Sequence, residues 1–418
     1  MNTLYYAKER LVSFLDEIKQ LELIEFPYTD SYNALEQINI LFKFLLNQLE
    51  SKKETGESLS STTLSLLFDY LPYLGFILRS TNIRNAFEIY GPIKRLARDV
   101  LSLRKVDEQN KIYVLISSEW EYSPYVLKPD KKSIFQDFVM LGFPAPESSN
   151  PFIIPLSGHE LGHLLFSKNN IINDYEDNMH KDIVKHISSN KDKVQRIYFY
   201  PPSKNSADGF DLFKLSIVNN ILNYASYQIE ESYCDFVGLK LFGTSYLYAF
   251  EYLLCPQPGG QRTGYYPEIL LRSENLIKAA KYYNIKYPAI YNNNFRKQEL
   301  SKELSEQDKF EIESADIIVS KYIEEAIQKA ELIITSTGVV LSTPDQVESI
   351  YNCFERIVPA EGCKCLADLL NAGWLAMENP DFWKDNEHIY IQKEKNLQQL
   401  LLKNIEVFEY EYWTGKTL

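Results

Sequence analysis

The residues best placed to do chemistry in this chain are His159-Glu160-Leu161-Gly162-His163. Residues i and i+4 of an α-helix lie one above the other. A helix here points two imidazoles at one metal ion. Glu160, beside the first, can reach a water on that ion without binding the ion itself. Zinc brings the pKa of such a water from about 15.7 towards about 7. A neighbouring carboxylate can take the proton and later pass it to a leaving amine. The chemistry is metal-assisted hydrolysis, with His159 and His163 as ligands and Glu160 as general base.

The spacing is specific in so histidine-poor a chain. His159, His163, His180, His186 and His388 are the only five histidines. Phe152, Ile153, Ile154 and Leu156 precede the motif, and Leu161, Leu164, Leu165 and Phe166 lie within and after it. These flanks predict a buried helix with polar residues at the ligand positions. A buried His-Glu-His cluster without a partner would be costly. The bland alternative, a solvated helix with chance His and Glu, conflicts with flanks this apolar.

A catalytic zinc needs a third protein ligand and one open position. Glu231-Ser-Tyr-Cys-Asp235 begins 68 positions after His163. Ile229, Tyr233, Phe236, Val237 and Leu241 give its surroundings a helical apolar face. Glu231 and Asp235 then share a face about 6 Å apart along the axis. One carboxylate can bind the metal. The other can accept the ring N–H of a ligating His, most simply His159, and fix its tautomer. Glu230 is the nearest rival ligand, but its own i+4 neighbour is Cys234. Standing alone, the segment would read as a surface acidic turn.

H-E-L-G-H followed by E-x-x-x-D resembles the gluzincin metalloproteases. It is most similar to the CAAX-processing endopeptidases and bacterial heat-shock membrane proteases, which show H-E-x-G-H, then E-x-x-A-D, then T-H-P with an Arg a few residues on. Gly162 falls on that family's glycine, and Cys234 replaces the small alanine. Tyr265-Tyr266-Pro267-Glu-Ile-Leu-Leu-Arg272 keeps the Pro-to-Arg spacing, with Tyr266 where the family has His. The likeness covers roughly residues 150–275. It implies a zincin-like fold and a Zn²⁺ held by His159, His163 and Glu231. Tyr266 could donate a hydrogen bond to a developing oxyanion, or be a packed loop residue among 30 tyrosines. Arg272 would anchor the loop or pair with an acidic site residue. The family's membrane topology is not implied.

Composition bounds the rest. With 45% hydrophobic and 14% aromatic residues, 418 residues can bury a large core in two or three domains. A net charge of −13 disfavours nucleic acid and anionic membranes as primary partners. No unbroken apolar run reaches the roughly 18–20 residues of a membrane span. The nearest, Leu66 to Leu78, is interrupted by Asp69 and Pro72. No basic n-region and apolar core mark a signal peptide. Five Cys without framework spacing fit a reducing cytoplasm.

The expected fold class is α+β, predominantly helical, in three parts. Residues 1–107 read as a bundle of helices over 8–24, 31–52, 60–80 and 84–105. Residues 108–290 read as a zincin-like metallopeptidase domain with a small β-sheet. Its strand at 111–118 is either a core strand or an edge to which extended substrate adds. The domain continues through the Pro144–Pro151 loop, a polar insertion over 168–205 that could cover the cleft, and a ligand helix from Asp211 to Phe242. A helix over Tyr246–Leu254 and the Pro256–Gly260 loop complete it. His180 and His186 read as solvent-facing helix residues. Residues 291–418 read as helical, with one long amphipathic pattern over 300–334 and a helix start at Thr343 (N-cap) and Pro344. Cys363 and Cys365 read as structural thiols, and Trp374, Trp383 and Trp413 as packing residues. No internal repeat, P-loop or glycine-rich dinucleotide loop is found.

The expected activity is a zinc-dependent endopeptidase acting on a peptide or protein. Two other classes stay open: a catalytically silent zinc-bearing scaffold whose helical flanks bind a protein partner, and a regulated stress or defence peptidase.

Overall fold

A computed structural model describes residues 3–51, 57–81, 87–101, 112–127, 133–198, 212–255 and 261–415. The chain is predominantly helical with a small sheet, and divides into two compact units, Met1–Pro151 and Phe152–Leu418. These do not coincide with the three segments expected from sequence, because the strands go with the N-terminal helices.

The first unit holds α1 (Thr3–Leu21), α2 (Thr29–Ser51), α3 (Glu57–Arg79) and α4 (Phe87–Leu101). It also holds β1 (Tyr113–Glu119), β2 (Tyr125–Leu127) and β3 (Phe138–Pro144). β3 is central, parallel to β1 and antiparallel to β2. Leu11, Ile18, Leu35, Ile38, Phe42, Leu74 and Ile77 bury the facing stripes of the helices, and Leu115, Phe138 and Met140 join them from the sheet. At the start of α2, Asp30 is buried and bonds Lys94 (3.0 Å), Arg98 (3.3 Å) and the Val114 amide (2.9 Å), tying α2, α4 and β1 together. The sequence reading missed β3. Its all-apolar run is buried throughout and lacks the alternation that marks a half-exposed strand.

Ser58–Arg79, within α3, is long and apolar enough by length and composition to cross a membrane. The sequence expectation counted unbroken apolar runs, which Asp69 and Pro72 interrupt. Leu67, Tyr70, Leu74, Phe76 and Ile77 of this helix are buried in the core, whereas Phe68, Leu71 and Leu78 are exposed.

In the second unit, a 3₁₀ turn ending at Leu156 runs into α5 (Ser157–Lys168). α6 (Ile172–Ser189), α7 (Lys191–Tyr198), α8 (Leu212–Phe242) and α9 (Thr244–Leu254) follow, then β4 (Gln261–Arg262), α10 (Ile269–Tyr282) and β5 (Glu299–Leu300). The unit continues with α11 (Glu306–Val319), α12 (Ile323–Thr337), α13 (Pro344–Glu355), α14 (Leu366–Glu378), α15 (Glu387–Tyr390) and α16 (Lys393–Trp413). β4 and β5 form a two-stranded parallel pair. α8 is the central helix, with α5, α6, α10, α11 and α12 packed around it. In its C-terminal third the apolar residues point in every direction: Tyr233, Cys234, Phe236, Val237, Leu239, Leu241 and Phe242 are all buried. That is the pattern of a helix enclosed by others.

Several expectations need correction. The 300–334 pattern is two helices, α11 and α12, broken at Ser320-Lys321-Tyr322. Thr343 occupies the N-cap of α13 without capping through its hydroxyl; its amide instead donates to Asp368. Trp374 and Trp383 pack with their indole N–H groups on the Phe152 and Phe354 carbonyls, but Trp413 is exposed. The insertion is largely α6 and α7, packed against α8 and α11, and His186 lies over Phe310 rather than free in solvent. All five cysteines are unpaired by disulfides, and Cys363 and Cys365 are buried. Residues 199–205 of the insertion, Asp211 and the Pro256–Gly260 loop lie outside the described residues.

Candidate metal centre

α5 and α8 cross at unusually short range, and small residues permit it. A Cβ on Gly158 would stand 2.8 Å from the Gly238 Cα, and one on Gly162 would stand 2.7 Å from the Cys234 Cα. The contacts pair 158 with 238 and 162 with 234, so the helices run antiparallel. Each contributes two small residues spaced i, i+4. The histidines flank this seam on α5 and therefore reach the carboxylates of α8. Gly162→Ala must push the two backbones apart. Overpacking of this kind costs about 1–3 kcal/mol. Chemical denaturation should show that loss, together with a weakened metal site. Unchanged stability would mean that the seam does not set the spacing.

His159 and His163 place their rings 5.0 Å apart and nearly perpendicular. Their Nε2 atoms converge on a single carboxylate: His159 Nε2 is 3.3 Å from Glu231 Oε2, and His163 Nε2 is 3.6 Å from Glu231 Oε1. Ligands about 2.0–2.2 Å from a tetrahedral ion stand about 3.3–3.6 Å from one another. The two histidine-to-Glu231 separations, one to each carboxylate oxygen, fall in that range.

The other ring nitrogens are also engaged. His159 Nδ1 lies 2.9 Å from Asp235 Oδ1, and His163 Nδ1 lies 2.8 Å from Glu230 Oε1. With Nδ1–H donating to these carboxylates, both rings turn Nε2 towards Glu231, where a proton or, once it is displaced, a metal can sit. Asp235, 1% exposed, also accepts from Tyr246 Oη (2.8 Å) and from Arg272 Nε and a terminal nitrogen (2.8 Å each). Burial pushes this carboxyl up, but Arg272 and His159 outweigh it and hold it well below the usual carboxylate range. Arg272 also lies 3.7 Å from Glu231. Burial raises the Glu231 pKa, yet His159, Arg272 and His163 bring it below its ordinary value. Both carboxylates are therefore ionised at neutral pH.

Cys234 is a second possible ligand, since ligand atoms of His159, His163 and Cys234 all lie within 4.8 Å of one another. With no metal bound, burial, reinforced by the negative charges of Glu231, Glu230, Glu160 and Asp235, drives its pKa well up and keeps the thiol protonated. An ion would have to displace that proton to take the sulfur as a ligand. Its position opposite Gly162 gives it a packing role at the helix crossing.

Glu160 is buried beside its two neighbours on α5. Tyr266 is half-exposed, and its hydroxyl pKa is raised by burial and by the charges of Glu231 and Glu160, against Arg272, which lowers it. The hydroxyl thus stays a donor at neutral pH and within electrostatic reach of Glu231 and Glu160. His180 and His186 lie on α6 and make none of these contacts.

The sequence reading missed two contributors. Glu230 was weighed only against its own i+4 neighbour. The adjacent pair Glu230-Glu231 was the available signal, since neighbouring carboxylates on one helix can serve the two sides of a histidine pair. Tyr246 sits on α9 and reaches Asp235 only because α9 folds back beside α8, its ring lying against Gly238. No spacing rule shows that.

A pH dependence follows. Burial lowers the His159 pKa, but its bonds to Asp235 and Glu231 and their charges overcome this and lift it to about 10. With no metal bound, that imidazolium stabilises the fold fully below about pH 6.5, and the contribution fades as pH rises towards about 10. A metal must displace the proton. Calorimetric zinc titration at pH 7.5 in buffers of different ionisation enthalpy should show roughly one proton released per ion, with affinity still rising above that pH. No proton release would contradict the site.

Comparison with known protein families, characterised proteins and solved structures finds no match to this chain. The reading of the site therefore rests on its own residues and geometry.

Proposed function

We propose that the protein is a zinc-dependent endopeptidase with a zincin-like catalytic arrangement. His159, His163 and Glu231 would hold the ion. The observation that carries this reading is the convergence of both Nε2 atoms on one carboxylate at 3.3 and 3.6 Å, with a separate carboxylate behind each ring. A bound zinc would supply a water of lowered pKa and polarise the scissile carbonyl. Glu160 takes the proton from the attacking water and delivers it to the leaving amine. Asp235 and Glu230 keep the imidazoles in one tautomer. Arg272 and Tyr246 hold Asp235 in place. Tyr266 donates towards the oxygen on which charge develops.

The intact Glu160 favours catalysis over a silent scaffold, because a structural metal site has no use for a base there. The test is metal analysis of the purified protein beside cleavage of a mixed peptide library. The expected result is about one zinc per chain, with cleavage abolished by chelation and restored by zinc. No zinc after reconstitution, or no cleavage by the loaded protein, would overturn the reading.

A further inference from the structure

Beside the ligand cluster, α8 and the loop after Arg262 put three tyrosines at the surface. Tyr227, Tyr265 and Tyr266 are 51, 54 and 54% exposed. Tyr227 stands one helical turn before Glu231 on the same face of α8, about 6 Å along the axis. The Tyr265 ring meets Tyr227 edge to face at 5.2 Å and Tyr224 at 5.7 Å. Tyr266 feels the charges of Glu231 and Glu160. The Tyr227–Tyr265 pair therefore starts one helical turn from Glu231 on the face of α8 that carries it.

It is also held in place. Gln228 on α8 donates to the Gly264 carbonyl at 3.1 Å. Gly264 packs so tightly that a Cβ would stand 2.5 Å from the Tyr224 ring and 2.6 Å from Ile312. Arg262, at the start of the loop, donates to both Asp316 oxygens at 2.7 Å. Rings fixed before binding lose little further entropy when a ligand arrives. Their faces and edges suit flat or apolar side chains. Single exposed aromatics need no explanation; a pinned, contacting group beside a hydrolytic centre does.

Resting on the metallopeptidase reading, we infer that Tyr227 and Tyr265 form a subsite for a large apolar or aromatic side chain of the substrate, next to the bond cleaved. The substrate class is then an extended peptide segment carrying Phe, Tyr, Trp, Leu or Met at that position.

The test uses two chelating probes that differ only in side chain, the hydroxamates of alanine and phenylalanine. Their Kd values are measured on the zinc-loaded full chain for wild type, Tyr227→Ala, Tyr265→Ala and Tyr227→Phe. Phenylalanine hydroxamate should bind wild type at least about 10-fold tighter, an advantage of the size expected for burying one aromatic ring. The ratio should fall towards one in both alanine variants and persist in Tyr227→Phe. Zinc content and the alanine hydroxamate Kd should not move. Equal binding of the two probes to wild type, or a ratio unchanged in both alanine variants, overturns the subsite and leaves the metal reading intact. Failure of both probes to bind the wild type overturns the metallopeptidase reading and the subsite with it.

Discussion

Glu160→Gln should keep about one zinc per chain and lose turnover by about 10²–10⁴-fold. Glutamine has the shape of glutamate and can still hydrogen-bond, so the tightly packed start of α5 need not rearrange. What it cannot do is accept a proton from water. Glu160 lies between Leu161 and His159 on α5 and is not one of the groups converging on the imidazole Nε2 atoms; that role falls to Glu231. Metal affinity and catalysis therefore separate in this one variant. The measurement is kcat on a peptide found by library cleavage, beside zinc stoichiometry by mass spectrometry. Wild-type turnover in Glu160→Gln would remove Glu160 as the base. Loss of zinc would mean that its carboxylate supports the ligands rather than the reaction.

Helix periodicity made the local half of this centre legible. It puts His159 and His163 on one face and Glu231 and Asp235 on another, and the structure has these four within hydrogen-bonding or ligand distance. Arg272 was readable as a partner for an acidic residue, but which one depends on where α10 meets α8. The long-range half was not legible. Glu230 faces His163 only because α5 and α8 cross antiparallel at the Gly162–Cys234 contact, and a sequence does not state a crossing sense. Tyr246 depends on the turn between α8 and α9. The same limit applies to the fold. The helices of the first unit announce themselves by their apolar stripes. β3 does not, since a run buried on both faces has no period to read. The break between α11 and α12 interrupts the helix without a Gly or Pro to mark it. The tertiary packing of Tyr322, whose ring meets Tyr175 on α6 at 5.9 Å, accompanies that break.

Three single substitutions should divide the residues around the imidazoles by role. Glu231→Ala removes the carboxylate that both Nε2 atoms face, and zinc should be lost on gel filtration. Glu230→Ala leaves all three ligand side chains but lets the His163 ring turn. Loss of such an orienting partner costs about 10–100-fold in metal affinity, so zinc should remain bound at micromolar protein and leave sooner to a competing chelator. Cys234→Ala keeps a small residue opposite Gly162 and should leave both stoichiometry and affinity unchanged. The three outcomes discriminate because the two possible third ligands differ in protonation as well as position. Glu231 is ionised and faces both rings, whereas Cys234 is buried among four carboxylates that favour its neutral form. Zinc lost in Cys234→Ala and retained in Glu231→Ala would reverse the assignment, making the centre a two-histidine, one-thiolate site. The negative field of the surrounding carboxylates would then be offset by the ion itself, whose charge can deprotonate a coordinating thiol outright.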